Sequence, residues 1–185
     1  MNTNPVAHVP AAVPVSSMDV HGLSETGVCL REATAEDAPA IHALVAGHLA
    51  EGHLLPRALD EVAAHASRFL VATHAGRLVA CGELAPLSRS VAEVRSLVVG
   101  RDARRLGVGA DIIERLVRRA TAHGFEKLCA FTHRPSYFVR HGFSIVPHVW
   151  LAEKIVTDCH RCPLFRRCGQ YAVVRPLARA RVLHG

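Results

Sequence analysis

Three groups of side chains in this sequence have the types and spacing that chemistry needs. The first is a basic, glycine-containing turn made of Arg104, Arg105, Leu106, Gly107, Val108 and Gly109. The second is a set of charged residues around Glu93 and Arg95, which fall two apart in an alternating apolar run. The third is a cysteine cluster, Cys159-x-x-Cys162 followed by Cys168. The turn reads as an anion cradle. The N–H groups of a helix's first turn have no intrahelical acceptors, and the helix dipole adds partial positive charge there. Glycine lets backbone approach a bulky anion, and arginine gives charge-assisted hydrogen bonds to phosphate oxygens. The expected ligand is a pyrophosphate across the start of a helix.

The flanking elements must position that turn. Residues 92–99 alternate and end β-branched, which predicts a strand. Residues 110–123 place Ile112, Ile113, Leu116 and Val117 on one face and Arg115, Arg118 and Arg119 off it, which predicts an amphipathic helix. No Gly-Lys-Ser/Thr run follows the turn. Ile112 stands where a dinucleotide fingerprint needs its third glycine, and no acid closes the next strand near Phe131. Both nucleotide motifs are thereby excluded.

The remaining elements follow in order. Residues 28–32 read as a strand, and Thr34 with Asp37 as a capping-box start to a helix carrying Ile41, Leu44, Val45 and Leu49. A short helix over 59–66 leads to strands 68–74 and 78–84, joined by a turn at Ala75-Gly76. After the central helix, Gly124 caps its end, 127–132 is a strand, 135–141 a short helix, 142–146 a strand and 170–174 a last strand. The central strand–helix–strand unit requires a parallel pair with a right-handed crossover, while the hairpin requires antiparallel pairing. The fold class is therefore α/β, a mixed central sheet with flanking helices in a single domain. Residues 1–27, rich in Pro, Ala and Val without periodicity, are expected to be a flexible leader. Residues 28–150 form the domain, and 151–185 a Cys/Arg-rich extension.

Composition bounds the rest. The chain has 185 residues, 50% of them apolar, enough for a proper core. No apolar run is long enough for a bilayer, and Pro5, Pro10 and Pro14 interrupt any signal-like start, so the expectation is a cytoplasmic protein without a membrane partner. The net charge of +6 resides in the tail, where Arg161, Arg166, Arg167, Arg175, Arg179 and Arg181 meet no acid; the other 16 basic residues balance 16 acidic ones. A basic tail is not a groove-shaped basic face, so nucleic acid is not the expected partner. Cys29, Cys81 and Cys129 sit in strand-like runs as small buried hydrophobes.

The pattern Arg104-x-x-Gly107-x-Gly109, between that strand and that helix, resembles the acyl-CoA-binding signature of the GNAT superfamily of N-acetyltransferases. Further strings narrow the resemblance: Leu55-Pro56-Arg57, residues 92–97, Thr132…Pro135…Phe138 ending in His141-Gly142-Phe143, and Glu153-Lys154-Ile155…Asp158-Cys159-x-x-Cys162-Pro163-x-Phe165-x-x-Cys168. Together they look like a short bacterial amino-acid N-acetyltransferase of the N-acetylglutamate synthase type. The resemblance implies a GNAT fold and acetyl transfer from the co-substrate acetyl-CoA to the α-amine of L-glutamate, in arginine biosynthesis. Another amine as acceptor, small molecule or protein, is the second reading. A GNAT-like binding module using the Cys/Arg tail is the third. A homodimer is compatible with either enzyme reading.

The resemblance also implies roles. The central strand splays from its neighbour, and Leu97, Val98 and Val99 hold the acetyl carbonyl and the pantetheine arm. The turn from Arg104 to Gly109, with Phe138 and Arg140, holds the rest of the cofactor. Arg57 and Arg95, with Thr132, are the acceptor-binding candidates, because guanidinium grips carboxylate bidentately. Glu93 is the first candidate for taking the ammonium proton, with His133 and His141 as alternatives. The competing reading of Glu93 is an ion pair with Arg95 on the same strand face. Many members protonate the leaving thiolate with a Tyr at the position of Phe138. Tyr137 is one residue earlier, about 100° away on a helix, so water is the competing donor. Cys159, Cys162 and Cys168 are candidate ligands of a structural metal, short of the four a closed site needs.

Overall fold

The computed structural model describes residues 27–52 and 54–178. Strands β1 (Val28–Glu32), β2 (Phe69–His74), β3 (Arg77–Pro86) and β4 (Val91–Val99) form an antiparallel meander. Helices α1 (Ala38–Ala46) and α2 (Leu59–Ala64) lie between β1 and β2. Helix α3 (Val108–Ala122) crosses from β4 to β5 (Lys127–Thr132), which pairs parallel with β4. Helix α4 (Pro135–Val139), β6 (Ser144–Val146), α5 (Ala152–Thr157) and β7 (Tyr171–Pro176) complete a seven-stranded sheet in the order β1-β2-β3-β4-β5-β7-β6.

The strand period of two sorts the core into layers. On one face, Leu70 and Ala72 of β2 and Val94 of β4 pack with Ile112, Ile113 and Leu116 of α3 and with Phe138 and Phe143. On the other, Phe69, Val71, Cys81 and Val98 pack with Ile41 and Val45 of α1 and Val62 of α2. A smaller cluster of Val91, Cys129, Leu151 and Ala172 continues that second face towards α5. Mixed pairing with helices on both faces matches the expected architecture.

Local chemistry explains the starts and stops. Asp37 accepts from the Thr34 backbone N–H at 2.8 Å, the reciprocal half of the capping box, and closes a 3-10 turn over Ala35–Asp37 before α1 begins. Leu49, expected on the first helix, lies instead in a separate 3-10 turn, Leu49–Glu51. The last strand spans Tyr171–Pro176, longer than its apolar core predicts, and it inserts between β5 and β6. Residues 1–26 of the expected leader, and Arg179 and Arg181 of the basic tail, lie outside the described residues. Among the described residues no helix is long and apolar enough to cross a membrane.

Candidate active site

The middle of the sheet opens. Pairing of β4 with β5 runs only from Val91↔Lys127 to Glu93↔Cys129 and then stops. Beyond it, residues 94–99 of β4 line a cavity of about 670 Å³ whose opposite wall carries Phe131, Thr132, His133 and Tyr137. The β3–β4 ladder also slips there. Cys81 pairs with Val98 and Glu83 with Arg95, so Ser96 and Leu97 together face the single residue Gly82. This is a β-bulge, which re-aims a strand's backbone. Ser96 takes the left-handed conformation, φ +48°, that costs a non-glycine residue energy. Its neighbours hold it there: Arg57 donates to Ser96 Oγ at 3.1 Å, and the Cys81 thiol donates to the Ser96 carbonyl at 3.4 Å.

At one end of the cavity β4 runs into the basic turn. Arg105 and Gly107 both have positive φ, +86° and +77°, and the chain enters α3 at Val108. A Cβ on Gly109 would lie 2.5 Å from Tyr137 Oη and 3.2 Å from Val99 Cγ2, so only glycine lets α3 approach so closely. Val108 is buried and Leu106 packs on the core, which pins the turn. Arg104 is held by two 2.8 Å hydrogen bonds to Glu51 and donates to the Val99 carbonyl at 3.2 Å. That pair is exposed, and such pairs exchange partners at little cost. Arg140 stacks over the Tyr137 ring at 5.8 Å. Burial pushes the Tyr137 phenol above its ordinary pKa, with Arg140 opposing and Asp111 adding to the rise. Phe138 points into the core and packs edge-on against Phe143. The two neighbours thus do different work: Tyr137 faces the cavity and Phe138 anchors α4.

The other end is charged. Arg57 donates to Glu83 at 2.9 Å and pairs with Glu61 at 2.9 Å. Burial would lower its pKa, but Glu83 and Glu61 outweigh that and raise it. Arg95 Nε donates to Glu93 at 2.5 Å, and Arg95 Nη2 donates to Asp158. Lys154 Nζ lies 2.8 Å from both carboxylates and over the Phe131 ring at 5.3 Å. Burial lowers the pKa of Arg95 too, and again the acids, Glu93 foremost, raise it overall. The competing reading of Glu93 is therefore the geometry found: its carboxylate is 3% exposed and engaged by two cations. Thr132 Oγ1 accepts from the Arg134 N–H at 3.0 Å and so shapes the loop into α4.

The strand cysteines behave as small hydrophobes. Burial pushes the Cys81 thiol up to about 12 and that of Cys129 higher still. The candidate metal ligands Cys159, Cys162 and Cys168 lie along two separate 3-10 turns, Cys159–Arg161 and Phe165–Arg167, and among the described residues no three His, Cys, Asp or Glu side chains gather where they could hold an ion. Burial shifts the Cys159 thiol upward.

Splayed central strand, bulge and basic glycine turn at a helix start are the features by which an acetyltransferase of the GNAT type is built. The chain belongs to the acetyltransferase (GNAT) family, whose model matches residues 34–143. It is 30% identical over 149 residues to an uncharacterized N-acetyltransferase of Chlorobaculum tepidum, covering 80% of this chain and 96% of that one. It is 31% identical over 121 residues to the amino-acid acetyltransferase of Mycobacterium tuberculosis, covering 62% of this chain and 67% of that one. The match to the amino-acid acetyltransferase of Azotobacter vinelandii, 32% identical, covers 60% of this chain but spans only 26% of that longer protein. Among solved structures, N-acetylglutamate synthase from Neisseria gonorrhoeae, complexed with coenzyme A and N-acetyl-glutamate, superposes with a TM-score of 0.75. It is 26% identical, over 84% of this chain and 36% of that chain.

The cavity wall brings together Glu93, Arg95, Leu97, Val98, Val99, Arg104, Thr132, His133, Tyr137, Phe138, Arg140 and Arg57. Lys154 and Asp158 were not singled out as site residues from the sequence. The available signal was an acid–base pair four apart, the spacing that meets on a helix face.

Proposed function

We propose that this chain moves the acetyl group of acetyl-CoA to the α-amine of an amino acid, with L-glutamate as the preferred acceptor. One observation carries the reading: three cations, Arg57, Arg95 and Lys154, converge on the end of the cavity opposite the basic turn. The amino-acid acetyltransferase relatives and the N-acetylglutamate synthase neighbour support it.

The amides at the front of α3, with Arg104 and Arg105, hold the diphosphate of coenzyme A. The unpaired edge of β4 around Leu97 and Val99 holds the pantetheine arm and the thioester carbonyl, whose oxygen gains charge as the amine attacks. Thioesters are already activated, so placing amine and carbonyl together supplies much of the acceleration. Glu93 keeps Arg95 and Lys154 aimed at the acceptor's carboxylate. His133, on the facing wall, receives the ammonium proton. Tyr137 Oη stands beside Gly109 and can return a proton to the departing thiolate.

A thiol-release assay with acetyl-CoA and a panel of amino acids and simple amines tests this. Release with glutamate above that with glutamine, aspartate or an uncharged amine is the expected result. No release with any of the three amino acids overturns the reading. Preference for an amine without carboxylate transfers the site to the second reading, a different acceptor class.

A further inference from the structure

Two carboxylates at the acceptor end share the same two cations. Glu93 Oε2 accepts from Arg95 Nε at 2.5 Å and from Lys154 Nζ at 2.8 Å. Asp158 Oδ2 accepts from Lys154 Nζ at 2.8 Å and from Arg95 Nη2. The two acids are not equivalent. Glu93 is rooted mid-sheet on β4 and is 3% exposed. Asp158 lines the cavity as Glu93 does, but its side chain is 34% exposed. It follows the last residue of α5 with φ −126° and ψ −46°, outside helical geometry, and leads into the turn Cys159–Arg161. The inner carboxylate is fixed by the sheet, whereas the outer one sits at the end of a short helix.

With Asp158 removed, Arg95 and Lys154 are left with one acid between them. They then present a net positive charge and oriented donors to the cavity, which is the complement of a single carboxylate. Of the two acids on these cations, Asp158 is the more exposed, so it is the one a ligand carboxylate can replace.

We propose that Asp158 is a specificity-determining residue: an internal carboxylate that holds the acceptor's place on Arg95 and Lys154 and is displaced by the acceptor's own carboxylate. This rests on the amino-acid-acceptor reading above and names how that acceptor is selected. An amine without a carboxylate cannot compensate Arg95 and Lys154, so it leaves Asp158 in place. An acceptor with a carboxylate makes the same bonds, and Asp158 moves outward with its turn. Apparent acceptor affinity is lowered by the fraction of molecules in which Asp158 is docked.

The test uses glutarate, a dicarboxylate without an amine, so binding is read apart from turnover. In titration calorimetry on the full chain, Asp158→Asn should bind glutarate roughly three- to tenfold more tightly than wild type. The KM for a carboxylate-bearing acceptor should fall in step while kcat holds. If Asp158 serves only to anchor α5, the folded variant binds glutarate equally or more weakly, or neither protein binds it, and each result overturns the proposal. A wild-type readout stands beside the variant should Asp158→Asn fail to fold. Cys159 opens the turn that moves with Asp158, so saturating glutarate should change the rate of N-ethylmaleimide labelling of Cys159 at least threefold by peptide mapping. The buried Cys81 and Cys129 are internal controls. An unchanged Cys159 rate overturns the displacement. Tighter glutarate binding by Asp158→Asn in a protein that acetylates no amino acid would sink the proposed substrate and leave the displacement standing. Turnover of glutamate without that gain would do the reverse.

Discussion

Replacing Glu93 with Gln separates its two conceivable roles. The side chain is 3% exposed, and one oxygen faces both Arg95 Nε and Lys154 Nζ. Gln preserves volume and one acceptor but removes the charge, leaving two cations to share Asp158. At the effective dielectric of such sites, each unit pair about 4 Å apart is worth about 4 kcal/mol before desolvation. Much of that gross attraction offsets the cost of burying the ions, and removing one partner of a buried pair typically costs about 3–5 kcal/mol net. With Asp158 still compensating, the lower figure applies, about 3 kcal/mol. For a chain of this length that lowers the melting temperature by roughly 6–12 °C. The assay is urea and thermal unfolding of wild type and Glu93→Gln, followed by initial rates for these and for His133→Gln. The expected outcome is a large stability loss and a raised acceptor KM in Glu93→Gln, with kcat falling far more in His133→Gln than in Glu93→Gln. A melting temperature within about 2 °C of wild type would refute the buried-pair reasoning. A collapse of kcat in Glu93→Gln with His133→Gln unaffected would assign the proton-accepting role to Glu93.

Gly109→Ala drives a methyl to within 2.5 Å of Tyr137 Oη and 3.2 Å of Val99 Cγ2. Both must retreat into the cavity, so KM for acetyl-CoA should rise about tenfold with the acceptor KM little changed, measured by initial rates with each substrate varied. The Arg31 guanidinium, bonded to Asp37 at 2.7 and 2.8 Å, holds the Asp37 carboxyl down at about 2 against desolvation. A depressed folded pKa means the stabilisation is present above the unfolded value, near 4, and is lost as pH falls towards 2. After allowance for solvent screening it amounts to about 1 kcal/mol. Urea midpoints between pH 2 and 5 should therefore fall less steeply in Asp37→Asn than in wild type.

The centre of the fold was legible because its signals are local. The strand ending at Val99, the turn at Gly107 and the helix carrying Ile112, Ile113 and Leu116 each announce themselves within a few residues. The helix begins two residues earlier than its apolar face suggests, because Val108 is buried at the first helical position. Arg57 and Arg95 were legible as cations of the right type, but not their pairing with Glu61, Glu83 and Asp158. Helix α5 was not read at all. It has six residues and no buried side chain, so its periodicity is too short to register. The slipped register at Ser96 was equally silent, since its causes, Arg57 and Cys81, reach it from distant parts of the chain.

The residues and their spacing by themselves determined the resemblance to the family, the mixed sheet and the basic glycine turn, because each depends on residues adjacent in the chain whose backbone preferences point one way. The folded chain alone decided which partner each charge takes. Glu93 and Lys154, or Arg57 and Glu83, are separated by dozens of residues, and Coulomb energy depends on distance in space. That is why the sequence offered Glu93 both as a candidate base and as a partner of Arg95, while only the folded chain shows Lys154 and Asp158 joining that pair.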